Sequence, residues 1–262
     1  MRSTILRLLR PGHLSERAEP ESPPASAEPA ETPPFTGDRE SFEELRVGFT
    51  AAVSHELRTP LARVLALLDT ALLPDADPRA LVEQAREEVE QMGDLIDEVL
   101  FLSELERGGE VVGLGATRAL PILHEVATTL EEQAARAGVT LEVAGDETAT
   151  LPLRPRMIRI VAENLAENAV RYAGLGARAV LSVRREDGAV TLAVADDGVG
   201  VAEEELPRLF ERFYRSDRAR ASRGTGLGLA IVKHVVTSAG GSVEASGTRG
   251  AGLTVRCVFT SP

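Results

Sequence analysis

Tryptophan is absent from these 262 residues, tyrosine occurs only 2 times, phenylalanine 7 times, and cysteine once. With so few rings, any core must be aliphatic, built from Leu, Val, Ile and Ala. The single cysteine, Cys257, excludes an intramolecular disulfide and a thiolate metal cluster, and it fits a reducing, cytoplasmic setting. No stretch approaches the ~20 continuous apolar residues of a membrane span. The N-terminal MRSTILRLLRPGHL is interrupted by Arg2, Arg7 and Arg10, and Pro11-Gly12 stops any helix early, so no signal peptide is expected. Positive charge is short as well. A net charge of -12 lacks the basic face of a general nucleic-acid binder.

What is present divides by texture, and 262 residues suffice for two domains at roughly 100–200 residues each. Residues 1–40 hold seven of the fifteen prolines together with many Glu, Ala and Ser, a composition unable to offset chain entropy by burial; a disordered tail is expected. From Ser41 onward, Phe49, Val53, Leu57, Leu61, Val64, Leu68 and Leu72 recur at helical steps, up to a turn at PDADP (74–78). A second stripe comes next, Leu81, Ala85, Val89, Met92, Ile96, Val99 and Leu102, and stops at Arg107-Gly108-Gly109. Residues 41–109 thus form an antiparallel helical hairpin with apolar surface on both sides of its seam, which a second copy would cover as a four-helix bundle.

Residues 110–262 mix elements: helices over 120–136, 157–172 and 230–238, and strands over 139–143, 241–245 and 253–259. Two alternating runs, ARAVLSVRRE and AVTLAVADD, flank Asp187-Gly188 and read as a β-hairpin. The fold class is therefore a helical hairpin followed by an α+β sandwich, one sheet with helices on one face.

Three segments of this second part point to chemistry. In NLAENAVRY, Asn164 and Asn168 are four apart on one helical face with Arg171 a turn beyond. An exposed polar face is the plain reading; amide oxygens for a hard cation such as Mg²⁺, with Arg171 for phosphates, is the functional one. In ADDGVGV, Asp196 leaves a strand where its carboxylate could accept a hydrogen bond from an exocyclic amine, and Gly198 and Gly200 allow a ligand close to the backbone. An ordinary Asp-Gly turn is the alternative. In RGTGLGLAIVKHVV, Gly224, Gly226 and Gly228 open a helix, so free N–H groups there suit phosphates; neither the P-loop nor the dinucleotide fingerprint fits. Between them, Phe210, Phe213 and Tyr214 precede an arginine-rich stretch, either a loop folding over a ligand or an amphipathic helix.

SHELRTPL (54–61), NLAENAVRY, DDGVG, LFERFYR and GTGLGLAIV occur in the order and spacing of the H, N, G1, F and G2 boxes of the sensor histidine kinases of two-component signalling. The sequence resembles that family over residues 41–262. The resemblance implies a dimerisation and phosphotransfer hairpin followed by an ATP-binding domain of the fold shared with gyrase, Hsp90 and MutL. It implies that His55 is phosphorylated from ATP and passes the group to an aspartate of a response-regulator receiver domain. Asn168, assisted by Asn164, is similar to the Mg²⁺ ligand; Arg171 and Tyr172 to phosphate and nucleotide contacts; Asp196 to the adenine-binding aspartate. Gly198, Gly200, Phe210, Arg215, Gly224, Thr225, Gly226, Leu227, Gly228 and Leu229 fall in the nucleotide-binding boxes.

A neutral imidazole is the nucleophile such a transfer needs, and Glu56 is placed to hold its other ring N–H. Thr59, one turn beyond His55, resembles the position linked to phosphatase activity on the partner's phospho-aspartate. Pro60 should kink the helix just past this site. Arg154-Pro155-Arg156 departs from the family's usual acidic residue and proline before the N-box helix. His13, His124 and His234 lack such neighbours and are read as surface or packing residues. A non-kinase ATPase of the same nucleotide fold and a pseudokinase adaptor are the rival functions; the His55 hairpin opposes the first and the intact boxes oppose the second.

Overall fold

The computed structural model describes residues 37–107, 115–186, 188–216 and 224–260, with side chains from residue 50 onward. Most of the expected tail, the glycine stop at 108–109, Asp187 of the hairpin turn and the arginine-rich stretch 217–223 lie outside the described residues. The chain divides into two compact units, Met1–Glu44 and Leu45–Pro262. Of the first, only helical backbone from Gly37 is described; the two helices of the hairpin motif and the sheet meet in the second.

Helix α1, Gly37–Ala71, is continuous through Pro60. Proline has no N–H, so the carbonyl one turn back, on Glu56, loses its helical donor. In the same turn the Thr59 hydroxyl donates to the His55 carbonyl at 3.5 Å, so this stretch carries two departures from the regular ladder. Helix α2, Pro78–Glu106, starts at Asp77, whose carboxylate accepts from the N–H groups of Arg79 at 3.1 Å and Ala80 at 3.3 Å. Pro78 occupies the first helical position, where no N–H is needed. The PDADP turn is thus at once a stop and a start. An ion pair between Arg63 and Glu88 at 3.5 Å ties α1 alongside α2 in the antiparallel sense.

The second part is built on a five-stranded sheet. Strands β2 (Thr140–Gly145), β4 (Arg178–Glu186), β5 (Ala189–Asp196), β6 (Ser242–Gly247) and β7 (Leu253–Thr260) lie in the order β2-β4-β5-β7-β6. Strand β2 runs parallel to β4 and the other pairs are antiparallel. Helices α3 (Leu120–Ala137), α4 (Pro155–Tyr172) and α5 (Gly228–Ser238) cover one face. The alternation that identified the strands decides which side chains face them: Leu181, Val183, Leu192, Val194, Val255, Cys257 and Phe259 are all buried. A two-stranded ribbon of β1 (Thr117–Arg118) and β3 (Thr150–Leu151), and a 3-10 helix over Glu203–Arg208, complete the described elements.

Helix α2 is not free of this second part. Leu95, Leu102 and Leu105, each at most 4% exposed, join the same apolar core as α3, α4 and the sheet. Its other side carries Val89, Ile96 and Leu100, about half exposed, opposite an α1 that leaves Leu61, Leu65, Leu68 and Leu72 open.

Candidate functional site

Helix α4 positions the first group. Its inner face, Ile158, Val161, Ala162, Leu165 and Ala166, is buried in the core. The helical period therefore turns Asn164, Glu167, Asn168 and Arg171 to the opposite side, where all four line one cavity of about 690 Å³. The Asn164 amide nitrogen donates to the Ile160 carbonyl at 2.8 Å, leaving its Oδ1 directed at the glycine segment. Burial pushes the Glu167 carboxyl above the usual range, against the pull of Arg171, with which it forms an ion pair at 3.9 Å.

Strand β5 delivers the second group. Asp196, its last residue, lies half-buried in the same cavity. Burial raises its carboxyl above the ordinary range, while backbone N–H groups of Gly198 and Leu253 draw it back, Gly198 donating to Oδ1 at 2.9 Å. Gly198 runs against the backbone of Ala173, where a Cβ would meet the carbonyl oxygen, so only glycine lets the β5 loop close on the end of α4. Gly200 lines the cavity; Gly198 does not.

The third group precedes α5. Gly224, Thr225, Gly226, Gly228 and Leu229 line the cavity, and Leu227, fully buried, anchors the segment in the core. A Cβ on Gly228 would stand 2.5 Å from Asn164 Oδ1, so the absence of a side chain is what allows the α5 N-terminus to approach the α4 amides. Phe213, at φ 61 the one non-glycine residue with positive φ among the described residues, ties its N–H to the Gly226 carbonyl at 3.0 Å. Tyr214 and Arg215 follow it into the cavity wall; the Arg208 guanidinium stacks on the Tyr214 ring at 4.2 Å. Phe210 packs on the core outside that wall.

Of the expected residues, Asn164, Asn168, Arg171, Tyr172, Asp196, Gly200, Arg215, Gly224, Thr225, Gly226, Gly228 and Leu229 are brought together in one cavity. Tyr214, of the segment read as a loop folding over a ligand or an amphipathic helix, lines it as well, and sequence reading missed Glu98 of α2, Glu205 and Arg249, which also line it. The three neighbours of the H-box stay apart: His55 and Thr59 are exposed on α1, Glu56 is partly covered, and none lines the cavity.

Apolar walls from Leu165, Val194, Val199, Leu209, Leu253 and Val255, a half-buried carboxylate and a glycine segment opening a helix suit a flat base with a phosphate tail. The chemistry of the donors also fits a hard cation. Asn164 turns an amide oxygen toward the glycine segment, and Asn168 lies one turn along the same wall.

Comparison with known proteins places these features in a family. The model for the His Kinase A (phospho-acceptor) domain matches residues 45–108, and that for the histidine kinase-, DNA gyrase B- and HSP90-like ATPases matches residues 154–262. The sensor-like histidine kinase SenX3 of Mycobacterium tuberculosis is 34% identical over 231 residues, 83% of this chain and 54% of that protein. The chain thus spans about half the length of the curated relatives it matches. Among solved structures, full-length ShkA in complex with AMPPNP is similar at a TM-score of 0.60 and 28% identity, over 81% of this chain and 46% of ShkA. The histidine kinase ThkA in complex with the response regulator TrrA shares the fold at a TM-score of 0.68 and 19% identity, over 89% of this chain and 68% of that one.

Proposed function

The chain belongs to the sensor histidine kinases of two-component signalling, and from that premise we propose that it phosphorylates its own His55 from ATP and passes the phosphoryl group to an aspartate of a response-regulator receiver domain. Residues 41–109 serve as the dimerisation and phosphotransfer hairpin and residues 110–262 as the ATP-binding domain. The observation that carries this reading is the single cavity in which Asn164, Asn168, Asp196 and the Gly224–Gly228 segment converge, on a chain that also exposes His55 on a helix.

Each group in the cavity has its own task. The Asp196 carboxylate accepts the exocyclic amine of adenine; guanine, which presents a carbonyl there, is refused. Gly224, Gly226 and the α5 N-terminus face the phosphates with backbone N–H groups, and Arg171 adds a cation. Asn168, helped by Asn164, would hold Mg²⁺, which would supply positive charge against the phosphate oxygens. The neutral His55 imidazole then attacks the γ-phosphorus, the bond to the bridging oxygen breaks, and ADP leaves; the N–H of the other ring nitrogen donates a hydrogen bond to the Glu56 carboxylate, which fixes the tautomer.

In the register of the hairpin, His55 lies level with the part of α2 that meets the cavity. Counting from the Arg63–Glu88 ion pair, eight residues back along α1 reach His55 and eight forward along α2 reach Ile96. Glu98, which lines the cavity, is within a turn of that level. The partly exposed Leu61, Leu65, Leu68, Val89 and Ile96 fit a second copy of the hairpin, so we assign a homodimer. Thr59 is assigned to phosphatase activity on the phosphorylated regulator.

Incubation with γ-labelled ATP and Mg²⁺ should yield acid-labile, base-stable phosphate on the protein, lost in His55→Gln. Undiminished labelling of that variant would overturn the assignment of His55. For Thr59, a Thr59→Ala variant should keep labelling and lose dephosphorylation of a phosphorylated receiver; retained dephosphorylation would remove it from the mechanism.

A further inference from the structure

Helix α2 places one carboxylate beside the segment to which the proposed function assigns the phosphate tail. Glu98 lines the nucleotide cavity, and its Oε2 accepts a hydrogen bond from the hydroxyl of Thr225. Thr225 lies between Gly224 and Gly226 in the segment that opens α5, and its Oγ1 in turn accepts from the N–H of Leu227 at 3.2 Å. Such a segment, with backbone N–H groups at a helix N-terminus, attracts anions. The Glu98 carboxyl already stands beside that segment, on the Thr225 side chain.

Glu98 arrives with the whole helix. Leu95, Leu102 and Leu105 of the same helix are buried in the shared core, Glu106 at its end pairs with Arg212, and the Phe101 ring lies under the Arg156 guanidinium at 5.7 Å. The carboxylate is therefore held in the cavity by docking of α2.

We propose that Glu98 is a residue of the nucleotide site supplied by α2, occupying the anion position of the glycine segment, so that the polyphosphate of ATP and the docked position of α2 exclude one another. Two anions within a few ångströms of one Thr225 hydroxyl repel, and the polyphosphate carries several charges against one. ATP thus loosens α2, and by linkage α2 docking lowers the affinity for ATP by the same factor. Adenosine, which has no phosphate, is indifferent to Glu98. The consequence is that the ATP-loaded domain gives up this docked position on α2 and the empty domain takes it up. The inference rests on the nucleotide reading of the cavity.

Equilibrium dialysis of the whole chain against ATP and, separately, against adenosine tests it. Glu98→Gln, which keeps shape and hydrogen bonding and removes the charge, should bind ATP about tenfold more tightly with adenosine affinity unchanged. Glu106→Arg, which repels Arg212 outside the cavity, should shift ATP affinity the same way by loosening the dock. Unchanged or weaker ATP binding in Glu98→Gln, or an equal gain for adenosine, would overturn the proposal while leaving the nucleotide site intact. Failure of the wild-type chain to bind either compound would overturn the nucleotide reading, and this inference with it.

Discussion

Burial holds the Glu98 carboxyl above the ordinary carboxylate range; the Thr225 hydroxyl and Arg171 pull it down, and Glu167 and Asp94 push it up. A carboxyl that binds its proton more tightly folded than unfolded lends stability below its unfolded pKa, and that contribution is lost as pH rises through the folded value. Glu98→Gln cannot ionise, so its stability relative to wild type should grow with pH across that window, which denaturant titrations at a series of pH values would show. Asp196 answers for a different property. Asp196→Asn removes the charged acceptor, and ATP affinity should fall about tenfold to a hundredfold, with the preference for ATP over GTP shrinking, in a binding titration of both nucleotides. Asp196, Asn164 and Asn168 were legible because each is an unusual residue for its local element. Glu98 was not: in DLIDEVLFLSEL it is one more acidic residue on a helix, and only the docking of α2 takes it out of solvent.

At the scale of elements, periodicity and punctuation carried most of the assignment. The helices expected over 120–136 and 157–172 are observed at Leu120–Ala137 and Pro155–Tyr172, and the β-hairpin closes with Glu186 opposite Ala189. The Pro-Asp turn works through one side chain. Asp77→Ala should therefore cost about 1 kcal/mol of stability in a denaturant melt. The ribbon of β1 and β3 was not foreseen, since two residues per strand give no period to read, and neither was the 3-10 helix over Glu203–Arg208. Helix α2 shows the limit of a stripe. Its sequence announces an amphipathic helix but not that Leu102, 1% exposed, serves the core of the sheet domain. Leu102→Ala should cost about 2–5 kcal/mol and lower the unfolding midpoint of the α/β part as well, measured by its own probe.

For the molecule as a whole, the two faces of the hairpin set its associations. Leu61, Leu68 and Leu72, from 44% to 84% exposed, are more apolar surface than one chain needs to leave in water. A charge on this face, Leu68→Glu, should convert the proposed dimer to a monomer in sedimentation analysis without changing nucleotide binding. Cys257 reports the opposite extreme. Burial in the sheet core pushes its thiol up to about 12, so modification at pH 8 should occur only through global unfolding and slow as the fold is stabilised by ligand.

By itself, the sequence determined the helical hairpin, the mixed α/β second part, the five boxes and the residues in them, because each depends on local periods, turn residues and short spacings. Only the tertiary structure decided that segments far apart in the chain close one cavity and that Glu98 enters it. It also decided that α2 faces the core on one side and solvent on the other. Those depend on contacts between residues more than a hundred positions apart, such as Glu98 with Thr225, which no local pattern encodes.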